Sequence, residues 1–382
     1  GAPLGGSGRQ GVGQGRRVLI DAELSANHGQ SLGKAKEIIR EAARCGADAI
    51  KTQTYTPDTM TLDMNTTPFI IGKGTIWEGR NLFDLYGEAF TPWEWHAALK
   101  EEAEQEGLLF FSTPFDDTSV NFLENLGVEF YKVASFEIVD IPLLRKIAAT
   151  GKPVIVSTGM ASLAEIEEAM HVLREGGCDQ IALLKCTSAY PAPPEEMNLR
   201  TIPHLADAFG VPVGLSDHTT GIAAPIAAVT LGASIVEKHF TLSRSDPSPD
   251  SPFSLEPDEF ERMVQSIRET EKMMGRVCYQ LTEREKSSKV FRRSLFVAEN
   301  MRAGDLFTPR NVRSIRPSHG LHPRYLSEVL NHKASMDISK GSPLSWKMLG
   351  VDRKCVPSLL SPLEAAAKES PRKIFVHLPD AP

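Results

Sequence analysis

The sequence predicts a (β/α)8 barrel followed by a small, mostly β module, and three observations support this fold class. Between residues 18 and 275, short apolar or β-branched runs alternate with longer segments of helical periodicity. There are eight such runs, the strand count of a (β/α)8 barrel. After residue 290 the pattern changes to shorter runs separated by turn residues. A doubly wound open sheet would show a similar alternation, but residues 24–29 lack the glycine-rich loop expected after its first strand.

The eight apolar runs are the predicted barrel strands, with a helical segment expected after each. They cover residues 18–23, 49–53, 108–113, 130–134, 154–158, 181–186, 213–216 and 235–239. We therefore expect a catalytic barrel domain at residues 18–275.

The segment at residues 54–107, between the second and third predicted strands, is much longer than the other connections. It contains Trp77, Trp93 and Trp95, three of the four tryptophans in the chain. One interpretation is a packed excursion that covers the barrel. The other is a substrate-side loop with aromatic walls, because long ordered loops in compact domains are usually functional.

The remainder of the chain divides into three predicted parts. Residues 276–290 are highly charged and predict a helical linker, and residues 291–349 predict the small β module. About 60 residues is a marginal size for independent stability, so we expect this module to lean on the barrel or on another subunit. Residues 350–382 carry no recognisable pattern.

Composition excludes several classes of protein. The net charge of −7 argues against a general nucleic-acid binder. No apolar run reaches the roughly 20 residues of a membrane span, and residues 1–17 lack the core of a signal peptide. The five cysteines are odd in number and lack C-x-x-C spacing, which indicates reduced, structural thiols. We therefore expect a cytoplasmic protein with no nucleic-acid or membrane partner.

Polar side chains lie at, or just after, the carboxyl-terminal end of every predicted strand, which is where this fold places its catalytic groups. In chain order they are Glu23; Lys51 and Gln53; Ser112 and Thr113; Lys132, Ser135 and Glu137; Ser157 and Thr158; Thr187, Ser188 and Tyr190; Ser216 and His218; and Glu237, Lys238 and His239. The sequence thus predicts one active site at the carboxyl-terminal mouth of the barrel.

The residue types at these positions indicate two kinds of chemistry. Lys51 and Lys132, with the surrounding hydroxyls, can neutralise and bind an anionic phosphate ester. His218 and His239, with Glu23 nearby, suit a divalent metal that stays open to substrate, although each histidine could instead only cap its strand. Phosphate and Lewis acid together favour carbon–carbon bond formation from a phosphorylated enol, or phosphate-ester hydrolysis.

The motifs that carry these residues resemble those of the sialic acid synthase family, whose members condense phosphoenolpyruvate with an N-acylated amino sugar. Within that family they are most similar to the branch that makes pseudaminic acid. The resemblance spans residues 18–349. Its motifs are AELSANH (22–28), KTQTYTPD (51–58), GTIWEG (74–79), TPWEW (91–95), SFEIVD (135–140), STGM (157–160), CTSAYPAP (186–193), GLSDH (214–218), EKHFTL (237–242), PDS (249–251) and FSLEP (253–257).

The resemblance implies a role for each candidate residue. His218 and His239 would ligate a divalent metal, Mn²⁺ or Mg²⁺, and these histidines, Glu23 and Tyr190 form the implied catalytic group. The residues implied to bind phosphoenolpyruvate are Lys51, Thr113, Lys132, Ser135, Ser157, Ser188 and Ser216. Those implied to contact the sugar are Glu137, Tyr190, Asp250 and Arg316.

The small β module resembles the antifreeze-like (SAF) domain of the same family. There the domain crosses over in a domain-swapped homodimer and lends an arginine to the partner's active site, and Arg316 matches that position. The implied sugar is 2,4-diacetamido-2,4,6-trideoxy-L-altrose. One motif departs from the family, because residues 27–30 read NHGQ in place of the usual NHNG.

Three alternatives stay open. The chain could be a synthase for a different nonulosonate, such as N-acetylneuraminate or legionaminate. It could be a metallohydrolase, although the first strand lacks a His-x-His pair. It could also be a catalytically silent sugar-binding or scaffold protein, against which the intact histidines and lysines argue.

Overall fold

A computed structural model describes residues 11–13 and 15–352 of the chain. It divides at residue 276 into two compact units. The predicted patternless tail lies almost entirely outside the described residues. No helix in the described part of the chain is both long and apolar enough to cross a membrane.

The first unit is a closed barrel of eight parallel strands in sequential order, so the predicted fold class is confirmed. The strands are β1 (Leu19–Glu23), β2 (Ala49–Thr54), β3 (Leu109–Pro114), β4 (Tyr131–Val133), β5 (Val154–Ser157), β6 (Ile181–Cys186), β7 (Val213–Asp217) and β8 (Ile235–His239). Each bound lies within one residue of the predicted run. β1 closes the barrel by pairing with β8, and Glu23 is in register with His239.

Helices connect and cover the strands. In chain order they are α1 (Leu32–Arg44), α2 (Pro57–Met60), α3 (Leu82–Ala89), α4 (His96–Gln105), α5 (Asp117–Leu126), α6 (Ile141–Ala148), α7 (Leu163–Glu175), α8 (Thr201–Phe209), α9 (Ala223–Thr230) and α10 (Pro257–Met274). α2, α3 and α4 all belong to the long connection between β2 and β3.

Local sequence explains why these helices form where they do. In α7, Ser162 caps the first turn and forms a reciprocal capping box with Glu165. Ile166, Met170 and Leu173 then recur at helical spacing and are buried, so this face packs on the barrel. The main core lies in the layer between strands and helices.

A separate apolar layer fills the barrel interior below the strand ends. It includes Ala49, Phe111, Ile155, Ala182 and Ile235, which alternate along their strands with outward-facing core residues. Polar side chains two and four positions further along the strands therefore face the interior above this layer. This period of two decides which strand-end residues reach the site.

The second unit contains α11 (Glu283–Ser288), α12 (Leu326–Val329) and a two-stranded antiparallel sheet of β9 (Ser294–Val297) and β10 (Val312–Ile315). It has its own apolar core, in which Leu295, Phe307, Val312 and Leu344 are buried. Arg316 directly follows β10.

Candidate active site

A cavity of about 400 Å³ opens at the carboxyl-terminal ends of the barrel strands. Twelve of the predicted site residues line it: Glu23, Lys51, Lys132, Ser135, Glu137, Ser157, Ser188, Tyr190, Ser216, His218, His239 and Asp250. Thr113 lies beside it and accepts a hydrogen bond of 3.2 Å from Lys51 Nζ. Arg316 belongs to the second unit and is not among the residues around this cavity.

Buried charges form the floor of the cavity. Lys51 makes an ion pair with Glu23, and its Nζ lies 3.8 Å from Glu237 Oε1. Lys132 Nζ lies 3.4 Å from the same oxygen, which also accepts a hydrogen bond of 3.1 Å from Ser216. The two lysines are only 3% and 2% exposed. Two cations held out of water beneath an open cavity are suited to an anionic ligand.

Burial and neighbouring charges divide the carboxyl groups of the floor into two kinds. Burial would raise the pKa of Glu237, but Lys132 and Lys51 lower it to about 2. Burial raises the pKa of Glu23 to about 7, in spite of the attraction of Lys51. Below Glu23, burial and the charge of Glu237 raise the pKa of Asp21 well above its ordinary value. Glu237 is therefore the firmly ionised carboxylate, whereas Glu23 can gain or lose a proton near neutral pH.

His218 and His239 lie side by side above this floor, with ring centroids 5.5 Å apart. The Nδ1 atom of His218 is 2.9 Å from the carbonyl oxygen of Thr187, which orients the ring. The buried Nδ1 atom of His239 has no hydrogen-bond partner among the described residues. Its closest carboxylate oxygen in an ion-pair geometry is Asp250 Oδ2, 3.9 Å away.

The protonation of these histidines bears on whether they could hold a metal. Burial and the proximity of His218 lower the pKa of His239 well below its ordinary value, so His239 is a neutral imidazole. Burial also opposes the charge on His218, but Cys186 outweighs it and raises the pKa of His218. A metal at this ring competes with that proton. The orphaned nitrogen of His239 and the oriented ring of His218 fit a divalent cation.

A second group of possible metal ligands lies deeper. Oxygen atoms of Asp21, Glu23 and Glu237 lie within 4.8 Å of one another and could also hold a cation. Lys51 and Lys132 already neutralise two of these carboxylates. The histidine pair is therefore the better match to a metal, because Glu23 and Glu237 already form ion pairs with the two lysines.

Three serine hydroxyls from neighbouring strands gather on one side of the cavity. Ser135 Oγ and Ser188 Oγ are 2.9 Å apart, and the buried Ser157 Oγ has no hydrogen-bond partner within the described chain. Gly159, at φ +51°, lies against them, and a Cβ atom there would be 2.3 Å from the Cβ atom of Ser135. The glycine thus leaves room for the hydroxyls to face a ligand.

Aromatic rings cover the histidines and join the long insertion to the loop after β8. Trp77 Nε1 donates a hydrogen bond of 3.1 Å to the carbonyl oxygen of Pro249. The ring of Tyr190 lies 4.3 Å from His218 and 5.6 Å from Trp77, and Phe253 lies 5.0 Å from His239, measured between centroids.

The insertion fits both sequence interpretations, each for different residues. Trp77 lines the cavity, as expected of a substrate-side loop. Trp93 and Trp95 pack within the protein: Trp93 Nε1 donates to the carbonyl oxygen of Tyr55, and the ring of Trp95 lies edge-on to His28.

Several residues of the site had no role in the sequence analysis. Asp21 lies two positions before Glu23, so strand alternation could have found it, whereas Glu237 was named as a strand-end residue but given no role. Cys186 was expected to be a structural thiol; it is buried and free, but it also lines the cavity. The apolar lining residues from the insertion carry no sequence signal that separates them from core residues.

Comparison with known proteins identifies the lineage of the chain. The NeuB family matches residues 38–279, and the SAF domain matches residues 292–350. A pseudaminic acid synthase of Campylobacter jejuni strain 81-176 is 46% identical over 86% of this chain and 96% of its own length. One from Helicobacter pylori strain 26695 is 45% identical over 85% and 96%.

A solved structure agrees with these relatives. The N-acetylneuraminic acid synthetase of Leptospira borgpetersenii, crystallised with citrate, is 32% identical and superimposes with a TM-score of 0.67 over 75% of this chain and 95% of its own. The two family matches cover the barrel and the small module, and together with the relatives they confirm the resemblance read from the motifs. The chain therefore belongs to the NeuB family and carries a SAF domain after its barrel.

Proposed function

We propose that this protein is a pseudaminic acid synthase, which condenses phosphoenolpyruvate with 2,4-diacetamido-2,4,6-trideoxy-L-altrose and releases phosphate. One observation carries the proposal: two buried lysines, Lys51 and Lys132, line the same cavity as the histidine pair. The 46% identity to an enzyme of that name, over most of both chains, supports the choice of sugar.

The charged floor and the serine cluster would hold phosphoenolpyruvate. Lys132 and Lys51 supply positive charge to its phosphate and carboxylate, and Ser135, Ser157, Ser188, Ser216 and Thr113 supply hydrogen bonds. Ser157 Oγ needs such a partner, because it is buried without one among the described residues.

His218 and His239 would hold a divalent cation, Mn²⁺ or Mg²⁺. Such a cation, when bound, polarises a carbonyl oxygen and opposes the negative charge that develops there. Asp250, Glu137 and Tyr190 line the adjoining part of the cavity and would bind the sugar. Ser25 donates a hydrogen bond to Asp250 and fixes its orientation.

In the reaction, C3 of phosphoenolpyruvate bonds to the aldehyde carbon of the open-chain sugar, and the aldehyde oxygen takes up a proton and becomes a hydroxyl. Water adds to C2 and gives up one proton. The C–O bond to phosphate then breaks, and phosphate leaves. Glu23 is suited to accept the proton of the adding water, because its pKa of about 7 lies near the operating pH.

The assembly around this chemistry is part of the same proposal. The barrel (residues 18–275), the linker (276–290) and the SAF module (291–349) would form a cytoplasmic, domain-swapped homodimer in which Arg316 reaches the partner's sugar. Light scattering of the purified protein at two ionic strengths should give the mass of a dimer, and a monomer would contradict it.

The substrate assay follows phosphate release from phosphoenolpyruvate with each candidate sugar. We expect turnover with the diacetamido-trideoxy-altrose and at least about tenfold lower kcat/KM with the hexose precursors of N-acetylneuraminate and legionaminate. Faster turnover of either precursor would reassign the protein to that nonulosonate. Phosphate release without sugar would indicate a hydrolase, and sugar binding without any turnover a silent binding protein.

The metal is tested in the same assay. Removal of metal by EDTA should abolish turnover, and Mn²⁺ or Mg²⁺ should restore it. His218→Ala should lower the metal content measured by mass spectrometry. Full activity after chelation would contradict the metal assignment.

A further inference from the structure

We propose that the long insertion builds an apolar subsite in the active-site cavity that receives the N-acyl and deoxy-methyl groups at the far end of the sugar. The subsite would make these residues determinants of sugar specificity. The inference rests on the proposed function, because it concerns the sugar that this site would bind.

The observation behind it is the one-sided composition of the cavity wall. Most of the lining residues that the insertion contributes are apolar or aromatic. The aliphatic ones are Met60, Ile71, Leu82, Leu85 and Ala89. The lining residues of the insertion that carry polar side-chain atoms are Thr75, Tyr55, Trp77 and Tyr86. The Trp77 N–H is already occupied by the Pro249 carbonyl oxygen.

The apolar wall lies on a different part of the chain from the charged floor. The lysines and carboxylates of the floor belong to β1, β2, β4 and β8, whereas the wall belongs to α2, α3 and the segment between them. The aldehyde of the sugar must meet the phosphoenolpyruvate at the floor. The opposite end of the same sugar is therefore the part available to contact the wall.

The wall is held in place by hydrogen bonds and ring contacts. Asn81 Nδ2 donates to the carbonyl oxygen of Met64 at 2.6 Å, which ties the start of α3 to the loop after α2. Gln30 Nε2 donates to the carbonyl oxygens of Glu88 and Phe90 at 2.9 and 2.8 Å. The ring of Tyr55 lies 5.6 Å from that of Tyr86. A rigid apolar surface discriminates against ligands whose polar groups would be buried there without a hydrogen-bond partner.

The chemistry of the wall matches a deoxygenated, acylated sugar. A hydroxyl buried against apolar side chains loses its hydrogen bonds to water without replacement, which weakens binding. A methyl group buried there strengthens binding, because apolar surface is removed from water. A C6 methyl and the methyl of a C4 acetamido group therefore suit this surface, and the C4 and C6 hydroxyls of N-acetylmannosamine do not.

The test uses two pairs of matched substitutions. Ile71→Thr and Met60→Gln place a polar atom in the wall with little change of shape. Ile76→Thr, in the same insertion, and Met273→Gln, on α10, make the same changes at side chains that are 47% and 69% exposed and do not line the cavity. Thermal unfolding of all four variants shows whether each is folded. Each wall variant with its matched control is a complete test, so one pair is sufficient if a variant of the other pair does not fold.

For the diacetamido-trideoxy-altrose, Ile71→Thr and Met60→Gln should lower kcat/KM by about 5- to 30-fold, mainly through the KM for sugar. The KM for phosphoenolpyruvate should stay within about twofold. The preference over N-acetylmannosamine should shrink, because the hydroxylated sugar gains a partner. Ile76→Thr and Met273→Gln should match the wild type.

Two results would overturn the subsite. One is an equal effect of wall and control substitutions, and the other is an equal loss for both sugars. These failures differ from failure of the proposed function, in which the wild-type protein itself would not turn over the diacetamido sugar. A folded wild type with turnover and an unaffected pair of wall variants would reject the subsite alone.

Discussion

Lys51 and Lys132 share the carboxylate of Glu237, but they are held to different degrees. Lys51 is also paired with Glu23 and donates to Thr113, so three groups fix its ammonium. The ion pair of Lys132 in the floor is the 3.4 Å contact with Glu237. Lys132 is consequently the lysine that can turn toward an incoming phosphate with the smaller loss of existing contacts.

Lys132→Met should therefore raise the KM for phosphoenolpyruvate by at least about tenfold. The buried phosphate of the bound substrate loses its charged partner, and such a loss costs about 2–5 kcal/mol of binding free energy. The KM for sugar should change far less. Lys152→Met is the control, since Lys152 pairs with Glu124 outside the cavity. Steady-state kinetics with each substrate varied in turn measures both constants. Equal increases for the two substrates would contradict the assignment of Lys132 to phosphate.

Glu137 provides a prediction about pH. Burial and the charge of Asp140 raise its pKa from 4.5 to about 7 in the folded protein. The folded state thus binds this proton more tightly than the unfolded state does. Its contribution to stability is complete below pH 4.5 and is lost as the pH rises through about 7.

The free energy of unfolding of the wild type, minus that of Glu137→Gln, should accordingly fall between pH 5 and pH 8. Urea unfolding at four pH values measures this difference. The same substitution at the exposed Glu167 of α7 serves as the control. A wild-type advantage that grows with pH would show that Glu137 is stabilised as a carboxylate instead.

At the scale of elements, β7 and β8 carry an outward-facing ion pair directly beside the inward-facing histidines. Asp217 and Lys238 are in register, and each immediately precedes a histidine. Lys238, fully buried, donates to Asp217 at 2.6 Å and to the carbonyl oxygens of Thr219 and Gly221 at 2.6 and 2.9 Å. One ammonium group thereby fixes both strands and the loop that follows His218.

Lys238→Met should destabilise the protein by about 3–5 kcal/mol, because it leaves the carboxylate of Asp217 buried without its partner. Adding Asp217→Asn should recover part of that loss, since the unpaired charge is then removed. Urea unfolding measures both. Arg268→Met, which breaks the more exposed pair with Asp48, should cost less. A double variant no more stable than Lys238→Met would contradict the charge argument.

The same pair shows where sequence reasoning about elements stops. Lys238 lies near the end of β8 and was grouped with the other strand-end polar residues, but it faces away from the cavity. Side chains alternate along a strand, so Glu237 and His239 face inward and Lys238 cannot. Applying that alternation from Glu23 and His239 would have added Asp21 and separated Glu237 from Lys238 from the sequence alone.

At the scale of the whole molecule, the sequence was sufficient for the barrel because each strand leaves a local signal. Short buried runs such as Ile181–Cys186 are apolar at every position but Lys185, as expected of parallel strands covered on both faces. Glu23, Lys51 and His239 could be grouped because all parallel strands end at one mouth. The apolar wall could not be found, because Met60 and Ile71 have the composition of core residues and only tertiary structure shows which surface they face.

During folding, the site can form only after the barrel has closed. Ser25 and Asp250 hydrogen-bond across 225 residues of sequence, and Glu23 reaches His239 only when β1 pairs with β8. Parallel pairing over such separations forms slowly, and the chain leaves the ribosome with β1 first and β8 last. An unfinished or partly folded chain therefore has lysines and carboxylates but no assembled pocket. Enzymatic turnover therefore reports that β1 and β8 have paired and closed the barrel. During refolding, turnover should return only in the final kinetic phase.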